Sequence, residues 1–240
     1  MTLNRFTRSL WPSAVAAAAG IGLLAGLQNY GVAQEAGQRL PDAALQAAEP
    51  AVGLRTATLA GGCFWGVQGV FEHVRGVKHA VSGYAGGSQE TATYETVSSG
   101  RTNHAEAVRI SYDPAVIRYD ELLQIFFSVA LDPTQVNRQG PDTGPQYRSA
   151  IFPSDAEQAR VAEAYIAQLE AAKVYSQPIA TRIERDAAFY PAEGYHQDFM
   201  ALHPRHLYIV ANDAPKLRAL QRFFSERVIS EPVLVSRPPS

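Results

Sequence analysis

Between residues 56 and 225 the spacing of apolar positions changes repeatedly, and each change marks an element. TATLAGG (56–62) alternates apolar and polar residues and ends in glycines, the pattern of a strand that stops. FWGVQGVFEHV places Trp65, Val67, Val70, Phe71 and Val74 at helical intervals. VKHAVSGYAGG predicts a second strand running into a glycine loop, and HAEAVRISYDP a third, stopped by Asp113-Pro114. YDELLQIFFSVA returns to helical period, NRQGPDTGPQ consists of turn formers, and YRSAIF predicts another strand. Ser154 and Glu157 have the spacing of a capping box ahead of the helix AEQARVAEAYIAQLEAAK. IATRIER predicts a short strand; a loop and EGYHQDFMALH follow. NDAPKLRALQRFF predicts a last helix with Pro215 near its start. Strands and helices mix without strict alternation, so the predicted class is α+β, helices on a largely antiparallel sheet.

The first 33 residues break this pattern. Arg5 and Arg8 precede the small, apolar run AVAAAAGIGLLAGL (14–27), and Gly31 and Ala33 offer small residues for a cut. That order predicts a secretory signal, with export and a periplasmic destination after cleavage. An uncleaved N-terminal membrane anchor is the main alternative, although the run falls short of the about 20 residues that a spanning helix needs. Cleavage there would remove two arginines and no acid, taking the net charge from −2 to −4. Residues 34–55, rich in Ala, Gln, Glu and Pro without apolar period, are expected to form a linker. The folded domain is then expected over 56–235, with 236–240 as a tail.

Composition narrows the function. The chain is 46% hydrophobic and 18% charged, enough apolar material for a sizeable core. Its slight negative charge gives no electrostatic basis for nucleic-acid binding. One cysteine among 240 residues excludes an internal disulfide and any multi-cysteine zinc site. The six histidines form no H-E-x-x-H or H-x-x-x-H pair, so no metal site is expected.

That cysteine, Cys63, falls where the first strand meets the first helix. Free N–H groups at a helix start favour a thiolate; a small buried hydrophobe is the alternative fate of such a residue. Phe64 and Trp65 follow, and adjacent helical positions point different ways, so one can fill the core while the other lines a pocket. In HAEAVRISY, Glu106 shares a strand face with Val108, Ile110 and Tyr112. A carboxyl in phase with the core-facing residues is desolvated, keeps its proton and can donate it; a buried ion pair is the alternative. Tyr84 in GYAGG and Tyr147 after GPDTGPQ stand beside glycines, and Asp142 lies in the same turn. Each also fits a purely structural role, as does His196 in GYHQDF.

GGCFWG (61–66), VSGYAGG (81–87), YETVSSGRTNHAEAV (94–108), RQGPDTGPQYRSAIF (138–152) and GYHQDF (194–199) together, in this order, resemble the A-type peptide methionine sulfoxide reductases. The resemblance spans about residues 56–225. It implies a two-layer α/β sandwich around a ferredoxin-like core, with an extended C-terminal segment. It implies reduction of the S epimer of methionine sulfoxide, free or in proteins, by a monomer without a bound cofactor. It puts the nucleophile on Cys63, methyl-binding aromatics on Phe64 and Trp65, and the acid on Glu106. Oxygen-binding tyrosines fall on Tyr84 and Tyr147, and a substrate-positioning aspartate on Asp142. Asn103 stands where the family usually has glycine, and Leu131 where histidine is common. Many members resolve the oxidised nucleophile with a second cysteine. This chain has none, which implies an external thiol: a thioredoxin-like protein, or glutathione with glutaredoxin. A thiol peroxidase, a sulfoxide-binding module without turnover and a structural domain are the rival readings of the same residues.

Overall fold

A computed structural model describes residues 37–49 and 52–236. The signal-like segment 1–33 lies outside the described residues. Among those described, no helix is long and apolar enough to cross a membrane.

The elements, in chain order, are β1 (Arg55–Gly61), α1 (Phe64–Glu72), β2 (Val77–Ala85), α2 (Tyr94–Ser98), β3 (Ala105–Tyr112), α3 (Tyr119–Ile125), β4 (Arg138–Gln139), β5 (Asp142–Thr143), β6 (Ser149–Phe152), α4 (Ala156–Ala171), β7 (Arg182–Ile183), β8 (Phe189–Pro191), α5 (Phe199–Leu202) and α6 (Ala214–Phe223). The six-stranded sheet has the order β7-β6-β1-β3-β2-β8. All its pairings are antiparallel except β6 with β7. Its four inner strands, with α1 and α3 as crossovers, form the expected ferredoxin-like arrangement.

The alternation in β1 and β3 explains the layers. Leu59 pairs with Val108 and Ala57 with Ile110, and directly opposed residues of an antiparallel pair project to the same face. That face carries the main core with Phe64, Val67, Val70 and Phe71 of α1. Full burial of each such side chain contributes about 1.5–3 kcal/mol relative to exposure. The other face carries small residues, Ala60, Ala85, Ala105, Ala107 and Ala150, beside Phe152 and Phe189.

Several local features depart from the sequence expectations. The expected linker is anchored over its described residues 37–49: Leu40, Ala43 and Ala47 are buried. Gln124 Nε2 donates to the Leu40 carbonyl at 2.7 Å, and Tyr165 Oη to that of Pro41 at 2.8 Å. Three spaced small or apolar residues suffice here because side chains of α3 and α4 satisfy the irregular backbone. The cap of α4 is Asp155 rather than Ser154. Its carboxylate accepts from Gln158 N at 2.8 Å, while Gln158 Oε1 reaches back to Ser154 N at 3.0 Å. The reciprocal pair is thus shifted by one residue, and Glu157 is left to pair with Arg160. The helix of YDELLQIFFSVA widens to a π-helical turn over Phe126–Ala130, and another, Ile209–Asp213, precedes α6. EGYHQDFMALH, whose pattern predicts no element, forms a 3₁₀ turn and the short α5.

Replacing Asp155 with Ala is expected to lower unfolding stability by about 1 kcal/mol in urea titrations. Ser154→Ala is expected to leave it nearly unchanged.

Candidate active site

The site begins where β1 ends. Gly62 adopts φ +87°, and a methyl group there would lie 2.4 Å from Gln139 Cβ, so the turn requires glycine. The chain then enters α1 with Cys63 at the N-cap position, its thiol almost wholly buried. Because β3 lies beside β1, the start of β3 brings Glu106 to the same turn. Glu106 Oε2 accepts a hydrogen bond from Phe64 N at 3.0 Å, and the residue is only 2% exposed.

Burial dominates both groups. It pushes the Glu106 carboxyl up to about 8, aided by the charges of Asp142 and Asp213 and opposed by the Phe64 N–H. Burial also raises the Cys63 thiol well above its ordinary range; the Glu106 and Asp213 carboxylates add to this, while the Trp65 N–H and Lys216 oppose it. The thiolate-favouring effect expected at the helix start is therefore present but outweighed. At neutral pH both groups hold their protons.

The two aromatics divide the roles as their adjacent positions allow. Phe64 is buried, its ring 5.0 Å from that of His196 and 5.9 Å from that of Tyr84. Trp65 is partly exposed and stacks on Phe199 at 3.8 Å, with Tyr208 and His206 edge-on at 5.9 and 6.1 Å. Its Nε1 donates to His196 Nδ1 at 3.2 Å. His196 thus has a partner that the sequence did not reveal. Burial lowers its proton affinity, and accepting at Nδ1 places the proton of the neutral ring on Nε2.

The tyrosines divide differently from expectation. The Tyr147 hydroxyl is pushed above its ordinary range by burial and then by the charges of Glu106, Asp142 and Cys63. Tyr84 shares a face with Glu106, its direct cross-strand partner, but its hydroxyl is already engaged, donating to Glu193 Oε2 at 2.8 Å. The other oxygen of Glu193 accepts from Tyr94 N at 2.9 Å. Tyr94, which the sequence reading passed over, opens α2 at the edge of exposure. Its hydroxyl is raised by burial, then by Glu106 and Cys63. Asp142 accepts from the hydroxyl of Tyr208. Arg148 braces the turn carrying Tyr147, with Nε and Nη2 on Glu184 at 2.7 and 2.8 Å and Nη1 on the Pro145 carbonyl at 3.0 Å.

The two departures from the family pattern fall on supporting positions. Asn103 is exposed and offers its carbonyl to Arg148 Nη2 at 2.9 Å. Leu131 is buried in the core beside Gly61. Among the described residues no cluster of three or more His, Cys, Asp or Glu is arranged to hold a metal.

The arrangement brings together a buried thiol at the start of α1, a protonated carboxyl from β3 bonded to the first residue of that helix, nearby phenols and an aromatic wall. Comparisons with known proteins identify the family. The family profile described as peptide methionine sulfoxide reductase matches residues 55–228. A Mesorhizobium japonicum protein named peptide methionine sulfoxide reductase MsrA 2 is 57% identical over 185 residues, covering 77% of this chain and 95% of the relative. A Synechocystis protein of the same name is 54% identical over 176 residues, covering 73% and 82%. Among solved structures, reduced Mxr1 from Saccharomyces cerevisiae has a TM-score of 0.56 at 34% identity, covering 64% of this chain and 87% of that one. Methionine sulfoxide reductase A of Corynebacterium diphtheriae has a TM-score of 0.54 at 34% identity, covering 66% and 78%. With the profile spanning most of the chain and relatives more than half identical, this chain belongs to the peptide methionine sulfoxide reductase family.

Proposed function

We propose that the chain reduces the S epimer of methionine sulfoxide, free or in proteins, to methionine, repairing oxidised proteins. The observation that carries this reading is the pairing of Cys63 with a buried, protonated Glu106 at one helix start. The Cys63 sulfur attacks the sulfoxide sulfur while Glu106 protonates the substrate oxygen, and the thiol's proton passes to the Glu106 carboxylate so formed. The substrate oxygen takes the Glu106 proton, because it is a poor leaving group without one. Methionine departs as the protonated oxygen passes to Cys63, leaving a sulfenic acid, with Glu106 already reprotonated by the proton that the thiol gave up. One external thiol then condenses with the sulfenic acid, releasing water and forming a mixed disulfide. A second thiol attacks that disulfide and restores Cys63. Phe64 and Trp65 supply the apolar wall for the substrate methyl, and Asp142 helps to position the substrate.

The oxygen-holding tyrosines in this reading are Tyr94 and Tyr147. Both phenols lie in the field of Glu106 and Cys63. The Tyr84 hydroxyl is committed to Glu193, so Tyr84 holds the carboxylate that in turn holds Tyr94.

The reductant follows from the cysteine count. With one thiol, the chain depends on a thioredoxin-like protein or on glutathione with glutaredoxin. We read the enzyme as a monomer that needs no nucleic acid. The basic and apolar N-terminus supports export, with a membrane anchor as the alternative, so a thioredoxin-like donor in the same compartment is the favoured partner. Export predicts a mature protein in the periplasmic fraction whose N-terminal sequence starts near residue 34. Recovery of the intact chain from cytosol would contradict it.

A single turnover without reductant tests the chemistry. The full chain is expected to yield about one methionine per enzyme from the S epimer only, with a trappable sulfenic acid on Cys63, and none from Cys63→Ser. Tyr94→Phe is expected to slow this turnover by about 10-fold or more, at nearly unchanged stability. Tyr84→Phe is expected to cost about 1–3 kcal/mol in unfolding measurements, since it strips Glu193 of a charge-assisted bond.

A further inference from the structure

The reaction as described makes no use of a buried ion pair beside the nucleophile. Asp213 closes the π-helical turn before α6, and Lys216 lies in the first turn of α6. Asp213 is fully buried and the Lys216 side chain is 13% exposed, with Nζ 3.2 Å from Asp213 Oδ1. Although α6 starts at the next residue, the carboxylate caps no backbone N–H, and its Oδ2 has no hydrogen-bond partner among the described residues. The pair presses instead on Gly66, where a methyl group would lie 2.1 Å from Asp213 Oδ1 and 2.8 Å from Lys216 Nζ. Gly66 is the third residue of α1, so a carboxylate and an ammonium are held over the first turn of the helix that starts at Cys63. A buried ion pair contributes little to stability that well-packed apolar residues would not, and an unbonded carboxylate oxygen is a further cost.

We propose that Asp213, held against Gly66 by Lys216, is a positioning residue that keeps the reactive protons on Cys63 and Glu106 until substrate arrives. A buried negative charge favours the neutral form of every acid near it. Asp213 acts in this sense on both groups, and Lys216 partly offsets it at the sulfur. The other groups facing the thiol are Glu106 from β3, Tyr94 from α2, Tyr147 after β5 and Tyr208 before α6. Asp142 of β5 acts on Glu106 in the same direction as Asp213. The consequence is restraint. A neutral thiol resists alkylation and peroxide, so the pair lets Cys63 spare oxidants that are not its substrate. This deepens the reductase reading and rests on it for the role of Glu106.

The test is the pH dependence of Cys63 alkylation by iodoacetamide in the full chain, with no sulfoxide present. Asp213→Asn, which keeps the shape and removes the charge, is expected to lower the alkylation midpoint by about one pH unit. That speeds labelling about tenfold at neutral pH. The alkaline limb of the single-turnover profile is expected to move down with it, as Glu106 loses the same influence. Lys216→Gln is expected to raise the midpoint, which keeps the proposal testable if Asp213→Asn does not fold. A merely structural role predicts midpoints that stay fixed or move together; either result in folded variants would overturn the proposal. Because alkylation needs no substrate, unmoved midpoints alongside intact turnover would sink the pair alone. Shifted midpoints in the variants, with no turnover by the unmutated chain, would sink the reductase reading.

Discussion

One hydrogen bond organises the site: the first free N–H of α1, on Phe64, to the carboxyl of Glu106. It joins the helix start that carries Cys63 to the strand that carries Glu106. The sheet order makes it possible, since β3 runs beside β1 and α1 packs over both. The bond also fixes the balance of charge. It pulls the carboxyl's proton affinity down, yet burial pulls harder in the opposite direction. A buried, singly bonded carboxyl remains an acid at neutral pH, while its location keeps it at hand for chemistry at Cys63.

The rest of the site depends on that junction. Gly62 allows the chain to turn into it, and Gly66 lets the Asp213–Lys216 pair approach it. Phe64 packs inward against Tyr84 and His196 while Trp65 stacks on Phe199, because neighbouring helical residues point in different directions. Elements distant in sequence then complete the wall: His196 through the Trp65 indole, Phe199 by stacking, and Glu193 by holding both Tyr84 and Tyr94.

What could be read from sequence was what depends on short-range period. The turn from β1 into α1 was visible in its glycines and helical spacing, and the inward face of Glu106 in the alternation of β3. The ferredoxin-like core followed from the resemblance and agrees with the strand order. Tyr94 was not legible. It opens a five-residue helix without a periodic pattern, and its anchor, Glu193, lies 99 residues away. Tyr84 beside its glycines gave the more conspicuous signal, but its hydroxyl is taken. The packing of residues 37–49 was hidden because it relies on side chains of α3 and α4 bonding an irregular backbone. The shifted cap of α4 was a local ambiguity: Ser154 and Asp155 are both good caps, and Gln158 decides between them by bonding reciprocally with Asp155 and the Ser154 N–H.

The central claim is that Glu106 is an acid because the fold buries it. Infrared difference spectra of the wild type against Glu106→Gln, titrated without substrate, measure this directly. The account predicts a protonated-carboxyl band at neutral pH that disappears with a midpoint of about 8. A midpoint in the ordinary glutamate range of about 4–5 would contradict it. Glu106 would then be ionised at neutral pH and could not supply the proton that the departing oxygen requires.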